Sequence, residues 1–289
     1  MPQRRLEYDD YLKFIDDALE LAKVLPKYFS KYSNHIYCNQ QKFSVYILMQ
    51  KLRTTSRGII SYLRSCSEMK LHLGPTKVPV HTTIIRFAKK IPKFLFQLFS
   101  ITKADTVAVD ATGFELESKS YYYRKVEQGY RRKKTKKFMK LNLAVDTKTH
   151  SILSYKVRKS CAHESQDFKT LLNGLQVKYV VADTGYSSKK LRDFVVHKLK
   201  AIPLIPKKKN EGHYHLAPYK ILVLDRKRYH KRSNIENIFF CIKRKYSSIL
   251  RNRTSATQKV ELISKLIAHN VDIMQHYLVL ILKGLHHHS

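Results

Sequence analysis

The segment TVAVDATGF at residues 106–114 and the segment VKYVVADTGYS at residues 177–187 decide how this chain is read. Each runs through β-branched and small apolar residues to an aspartate, Asp110 or Asp183, with a glycine two or three positions further on. Such runs predict strands that end in turns. A carboxylate at a strand end, where a sheet opens to solvent, is well placed to hold a hard divalent cation. Two such strands side by side bring oxygen ligands together, and the repulsion between them favours a cation in the gap. Taken singly, each aspartate fits a helix cap or a turn equally well.

Working outward, KLNLAVDTKTHSILSYKVRK (140–159) predicts two strands joined by a turn at Thr147–Lys148–Thr149, with Asp146 as a turn residue. ESQDFKTLLNGL (164–175) predicts a helix capped at its start by Glu164 and ending near a glycine, with His163 just ahead of it. SKKLRDFVVHKLK (188–200) predicts another helix and AIPLIPK (201–207) a short strand. The order is three strands, helix, strand, helix, strand and a final helix. That is an α/β fold, a mixed central sheet flanked by helices.

The first hundred residues have a different texture. YLKFIDDALELAKVLPKYF (11–29), FSVYILMQKLR (43–53) and SRGIISYLRSC (56–66) repeat apolar groups at three- and four-residue intervals. A turn at Gly74–Pro75 precedes a predicted helix from about His81 to Lys90. The expected organisation is a small all-helical domain over 1–100, a catalytic domain over 101–275 and a C-terminal tail over 276–289. Several short helices with exposed Lys and Arg suit a helix-turn-helix DNA reader, and a bracing bundle equally.

Lys and Arg number 56 against 22 Asp and Glu, a formal net charge of +34. Such an excess draws polyanions, and the 19 Tyr add rings that stack on bases or donate to phosphates. Charge alone fits a ribosomal or chromatin protein as well. Two basic stretches stand out: RKVEQGYRRKKTKK (124–137), with Arg131, Arg132, Lys133 and Lys134 at its centre, and a loop over about 207–232. Both flank segments assigned to the active edge, which favours DNA contact over a merely solvated surface. Cys38, Cys66, Cys161 and Cys241 lack the short spacing of a zinc or redox site and read as reduced structural thiols. The start MPQRRLEYDD has no signal-type apolar run, and Tyr277–Leu282 is too short to span a bilayer, so no membrane role is expected.

A third acid lies in RSNIENIFFCIKRKYSSIL (232–250). Ile235, Ile238, Phe239, Ile242, Tyr246 and Ile249 form an apolar stripe at helical period. Glu236 sits at its margin, and Lys243, seven residues on, shares that side. Arg232 joins them if the helix starts early enough; Ser233 as the cap would leave it in the loop. By spacing alone this is a candidate ligand or an ion-pair ladder.

These segments resemble the insertion-sequence DDE transposases with a ribonuclease-H-like catalytic domain. VAVDATGF is similar to the family's first catalytic strand and VVADTGYSS to its second. YHKRSNIENIFFCIK (229–243) matches its C-terminal signature of Tyr, two residues, Arg, three residues, Glu, six residues, Lys, on Tyr229, Arg232, Glu236 and Lys243. VPVHTTIIRFAKKI (78–91) resembles the short helical segment that precedes the catalytic domain. The family often has a longer insertion before the glutamate helix; here only about fifty residues separate Asp183 from Glu236.

The resemblance implies two Mg²⁺ ions, replaceable by Mn²⁺, on Asp110, Asp183 and Glu236 as the catalytic set. It implies phosphate contacts from Arg232 and Lys243, with Tyr229 at the same edge. It further implies cleavage at the terminal inverted repeats of an element and strand transfer into target double-stranded DNA, by a homodimer on DNA in the nucleoid of a prokaryotic cytoplasm. The alternatives are a stand-alone metal-dependent endonuclease, or a decayed DNA-binding protein that never cuts.

Overall fold

A computed structural model describes residues 10–75, 77–90, 102–116, 138–159, 163, 165–206 and 226–285, with side chains up to 275. The basic residues Arg131, Arg132, Lys133 and Lys134, together with Cys161 and Glu164, lie outside the described residues. The chain divides into two compact units, Met1–Leu98 with Lys259–Ser289, and Phe99–Gln258.

The first unit is helical. It holds α1 (Tyr11–Leu21), α2 (Asn39–Lys51), α3 (Ser56–Ser65), α4 (Ser67–Leu73) and α5 (His81–Lys90). Local chemistry sets their starts. Asp10 accepts the amides of Leu12 and Lys13, and Thr55 that of Gly58. Cys38 and Gln41 cap one another reciprocally. At the end of α4, Gly74 takes φ +70°, a left-handed conformation that glycine adopts without a side-chain clash. Phe14, Ile15, Phe43, Ile47, Leu48, Ile59 and Ile84 are wholly buried. The last helix, which the second unit begins and the first unit ends, runs Ser255–Leu285 and therefore through much of the stretch read as a tail. Its Asp272 forms a 2.7 Å ion pair with Lys51, both side chains under a tenth exposed, and the Lys51 ammonium lies 5.3 Å from the Phe14 ring.

The second unit carries a sheet in the order β3-β2-β1-β4-β5, built from β1 (Lys103–Leu116), β2 (Phe138–Asp146), β3 (Ile152–Arg158), β4 (Gln176–Ala182) and β5 (Ile202–Leu204). β1–β2 and β2–β3 pair antiparallel; β1–β4 and β4–β5 pair parallel. The parallel links cross over through α6 (Ser165–Leu172) and α7 (Lys189–Asp193), which runs on into one π-helical turn, Phe194–Lys198. This mixed sheet flanked by helices, preceded by an all-helical region, is a ribonuclease-H-like fold. Val107, Val109, Val180 and Ala182 on one face join Phe168, Leu171, Leu191 and Val195 from the helices in one buried cluster.

Three details depart from the sequence reading. β1 does not stop after Asp110: it runs 14 residues, because β2 pairs with it from Val107 to Glu115 and carries it through Gly113. Residues Arg226–His230, inside the stretch read as loop, form the short helix α8, whose basic composition has no apolar period to betray it. Ile249 leaves the apolar stripe: α9 (Ser233–Tyr246) ends at Ser247, φ +76°, and Ile249–Leu250 form β6, parallel to β1 at Glu115–Leu116. The Asp146 turn is as expected, its carboxylate accepting from the Lys148 amide and the Thr149 hydroxyl. His163, through Nδ1, accepts the Ser165 amide at the start of α6. No described helix is long and apolar enough to cross a membrane.

Replacing Lys51 by Met leaves Asp272 buried without its ammonium partner. The expected loss is about 3–5 kcal/mol, and pairing it with Asp272→Leu is expected to recover most of that, read by urea denaturation. An unchanged single variant would assign the pair no stabilising role.

Candidate active site

Side chains alternate across a strand, so Val107 and Val109 entering one core send Ala108, Asp110, Thr112 and Phe114 to the opposite face. That face receives α9, which buries Ile235, Ile238, Phe239, Ile242 and Tyr246. The edge of β1 is shared. Pairing with β4 stops at Val109↔Ala182, pairing with β6 starts at Glu115↔Ile249, and no described strand pairs with the stretch between on that side. Asp110 opens this gap, and Asp183 is the next residue after Ala182 on the neighbouring strand.

Each aspartate is held by its own turn or strand. Asp110 Oδ1 accepts the Ala111 amide at 2.8 Å. Asp183 caps the single 3₁₀ turn Thr184–Tyr186, with Oδ1 accepting the Gly185 amide at 2.8 Å. A Cβ on Gly185 would fall 2.9 Å from that same oxygen, so glycine is what lets the carboxylate sit against the turn. Tyr186, wholly buried, places its ring 5.4 Å from Phe168 and anchors the turn in the core. Beyond it, Arg192 is also wholly buried and donates to Ser187 Oγ at 2.6 Å and to the Ile205 carbonyl at 3.4 Å.

Glu236 stands in the first turn of α9, where a carboxylate suits the positive end of the helix dipole. Ser233 is not the cap: it is the first helical residue and its hydroxyl donates to the His230 carbonyl. Arg232 takes the cap position with helical backbone angles, so it lies on the same side as Glu236. Its guanidinium is 2.8 Å from Glu236 Oε1 and 3.7 Å from Asp110 Oδ2. Partial burial pulls its pKa down, and the Glu236 and Asp110 carboxylates, with the Glu236 hydrogen bond, outweigh that and raise it. Lys243 Nζ donates to Thr112 Oγ1 at 2.7 Å and lies 5.5 Å from the Phe114 ring. Burial lowers its pKa, against an opposing pull from Glu115. Asn234 Nδ2 donates to the Thr147 carbonyl at 2.8 Å, which ties the first turn of α9 to the β2–β3 turn.

Asp110, Arg232 and Glu236 thus meet directly, Lys243 joins the same strand face two residues further along, and Asp183 ends the adjacent strand. Tyr229 sits on α8 with its ring tilted against His230, 6.4 Å away. Thr112, Arg192 and Asn234 are additions that sequence reading passed over. Only Thr112 carried a signal, being one strand repeat from Asp110. Among the described residues no group of three or more His, Cys, Asp and Glu side chains is gathered as for a metal ion. The donors nonetheless fit one: they are hard oxygen ligands of the kind Mg²⁺ and Mn²⁺ take, and a cationic group already lies between Asp110 and Glu236.

The ribonuclease-H-like sheet carries Asp110 on its first strand and Asp183 just past the end of its fourth, with Glu236 on the later helix α9. The chain belongs to the transposase DDE domain family, whose model matches residues 101–271. It is also similar in fold to a piggyBac transposase seen in a synaptic complex with hairpin DNA, with a TM-score of 0.51 at 9% identity over 92% of this chain and 74% of that one. No curated protein sequence matches it.

Arg192→Met removes the donor shared by Ser187 and the Ile205 carbonyl. The expected cost is roughly 1–3 kcal/mol in chemical denaturation. A stability equal to the parent chain would remove Arg192 from the supports of the Asp183 turn.

Proposed function

We propose that this chain is a transposase that cuts DNA at the ends of a mobile element and joins them to target DNA. The observation that carries the reading is the juxtaposition at the gap in β1: Asp110 and Asp183 on adjacent parallel strands, with Glu236 reaching toward Asp110 from α9. Membership of the family supports the chemistry, and the net charge of +34 supports a polyanionic substrate. Asp110, Asp183 and Glu236 are the residues that would hold two Mg²⁺ ions, with Mn²⁺ as a substitute. Bound there, the ions supply Lewis acidity to the scissile phosphodiester and acidify the attacking water or DNA 3′-hydroxyl.

The chain's own groups do the rest. Asp110 and Asp183, each fixed by a backbone amide, present oxygens from rigid elements. Lys243, anchored on Thr112, offers an ammonium to a phosphate beside the reacting centre, and Arg232 a guanidinium fork. Tyr229 lines the same edge. The first hundred residues serve DNA contact or bracing; the exposed Arg86, Lys89 and Lys90 of α5 favour contact. Arg131, Arg132, Lys133 and Lys134, outside the described residues, are proposed as further phosphate contacts on their charge alone. Two element ends must be processed together, which calls for a homodimer on double-stranded DNA, in a prokaryotic cytoplasm at the nucleoid. The piggyBac neighbour, captured in a synaptic complex with hairpin DNA, supports DNA as the partner by analogy of fold.

The test is cleavage and joining of DNA carrying the ends of the chain's own element, in Mg²⁺ or Mn²⁺. Asp110→Asn, Asp183→Asn and Glu236→Gln are each expected to lower cleavage by about a thousandfold or more while DNA binding persists. Normal cutting by all three would end the assignment. Gly185→Ala, which forces the Asp183 carboxylate off its amide, is expected to cost on the order of 10–100-fold in rate with the fold intact. Full activity in that variant would show that the turn does not position Asp183. Binding without cutting by the parent chain on paired ends would indicate a decayed copy.

A further inference from the structure

Among the described residues, Arg232 forms ion pairs with two of the three proposed metal-holding carboxylates. Its guanidinium is 2.8 Å from Glu236 and 3.7 Å from Asp110, and its side chain is about a quarter exposed, so it can be reached from solvent. The position is a consequence of chain geometry. Residues four apart on a helix share a side, and Arg232 keeps helical angles at the boundary of α9. Asp110 comes to the same point from β1 because its strand face is the one covered by α9.

Any divalent ion held jointly by Asp110 and Glu236 needs the oxygens that Arg232 now engages. A guanidinium and a divalent cation also repel strongly at separations of a few ångströms. The same planar fork that matches a carboxylate matches a phosphate. The contacts are loose enough to exchange. Glu236 is 54% exposed, so its pair changes an equilibrium by only about two- to fivefold, and the Asp110 contact at 3.7 Å lies beyond hydrogen-bond length.

We infer that Arg232 is a cation stand-in, engaging Asp110 and Glu236 until a DNA phosphate draws its guanidinium away and leaves the two carboxylates to divalent metal. This rests on the metal site proposed above. It makes the DNA-free chain a weak metal binder and gives metal and DNA a mutually favourable coupling, since each gains from what the other displaces. It assigns Arg232 a positioning role that precedes its phosphate contact. A purely structural ion pair would instead hold Glu236 in place for the metal.

The two roles predict opposite signs. Mn²⁺ binding to the full chain without DNA is followed by the electron paramagnetic resonance signal of the free ion. Arg232→Gln and Arg232→Met are each expected to bind Mn²⁺ about three- to tenfold more tightly than the parent chain. Unchanged or weaker binding in both variants, with parental thermal stability, would overturn the inference. Asp110→Asn and Asp183→Asn run alongside as controls and are expected to bind Mn²⁺ more weakly than the parent chain. If they do so while the Arg232 variants do not tighten, the stand-in role fails and the metal site survives. If neither aspartate affects Mn²⁺ binding, the metal-site reading fails and takes the stand-in role with it.

Discussion

The parallel pairing of β1 with β4 stops at Val109↔Ala182, and the arrangement of the site follows from where it stops. One residue further along each strand stands an aspartate. β4 turns away there into the 3₁₀ turn capped by Asp183, whereas β1 continues because β2 pairs with it as far as Glu115. The unequal lengths of the two neighbours leave β1 with one supported edge and one edge that opens between β4 and β6. Charged groups at that opening can keep contact with water while their backbone stays locked in a sheet. A carboxylate one pair deeper, at position 109 or 182, would lie in the buried cluster with Val107 and Val180, where an ionised group without partners is costly.

The second constraint is the amphipathic helix α9. At about 100° per residue, positions 232, 236 and 243 fall within an arc of roughly 40°, at the border of the face that buries Ile235, Ile238 and Ile242. Burial of that face against β1 therefore decides which charges reach the strand. Arg232 and Glu236 arrive opposite Asp110, and Lys243 arrives at Thr112, two residues along the same side. Asn234 fixes the start of the helix to the Thr147 carbonyl, limiting rotation that would carry Glu236 toward solvent.

Electrostatics works at two ranges here. The net charge of +34 acts over a Debye length and bears on encounter with a polyanion, without selecting a residue. Within the site, acids and bases alternate: the two aspartates and Glu236 with Arg232 and Lys243 among them. Arg232 pairs with both Asp110 and Glu236, and Lys243 lies at Thr112 on the same strand face. In the first unit the same economy appears in a buried setting, where Lys51 and Asp272 neutralise each other next to Phe14.

Much of this was legible in the sequence because it depends on near neighbours. The period of two in VAVDATGF, the period of 3.6 in NIENIFFCIK and the glycine after Asp183 all act over a few residues. The spacing of Glu236 and Lys243 likewise puts them on one helix side, while the place of Arg232 waited on where the helix starts. What the tertiary structure decided needed a partner distant in the chain. β2 extends β1 beyond the glycine that reads as its end, α8 forms in a basic stretch where Arg228 lies against the Tyr179 ring, and β6 takes Ile249 out of the helical stripe. The placing of the Arg232 guanidinium between Asp110 and Glu236 is of the same kind. Side chains 122 and 126 residues from Asp110 in sequence reach it only because a sheet edge ends where a helix begins. Local pattern carries no information on that distance; packing does.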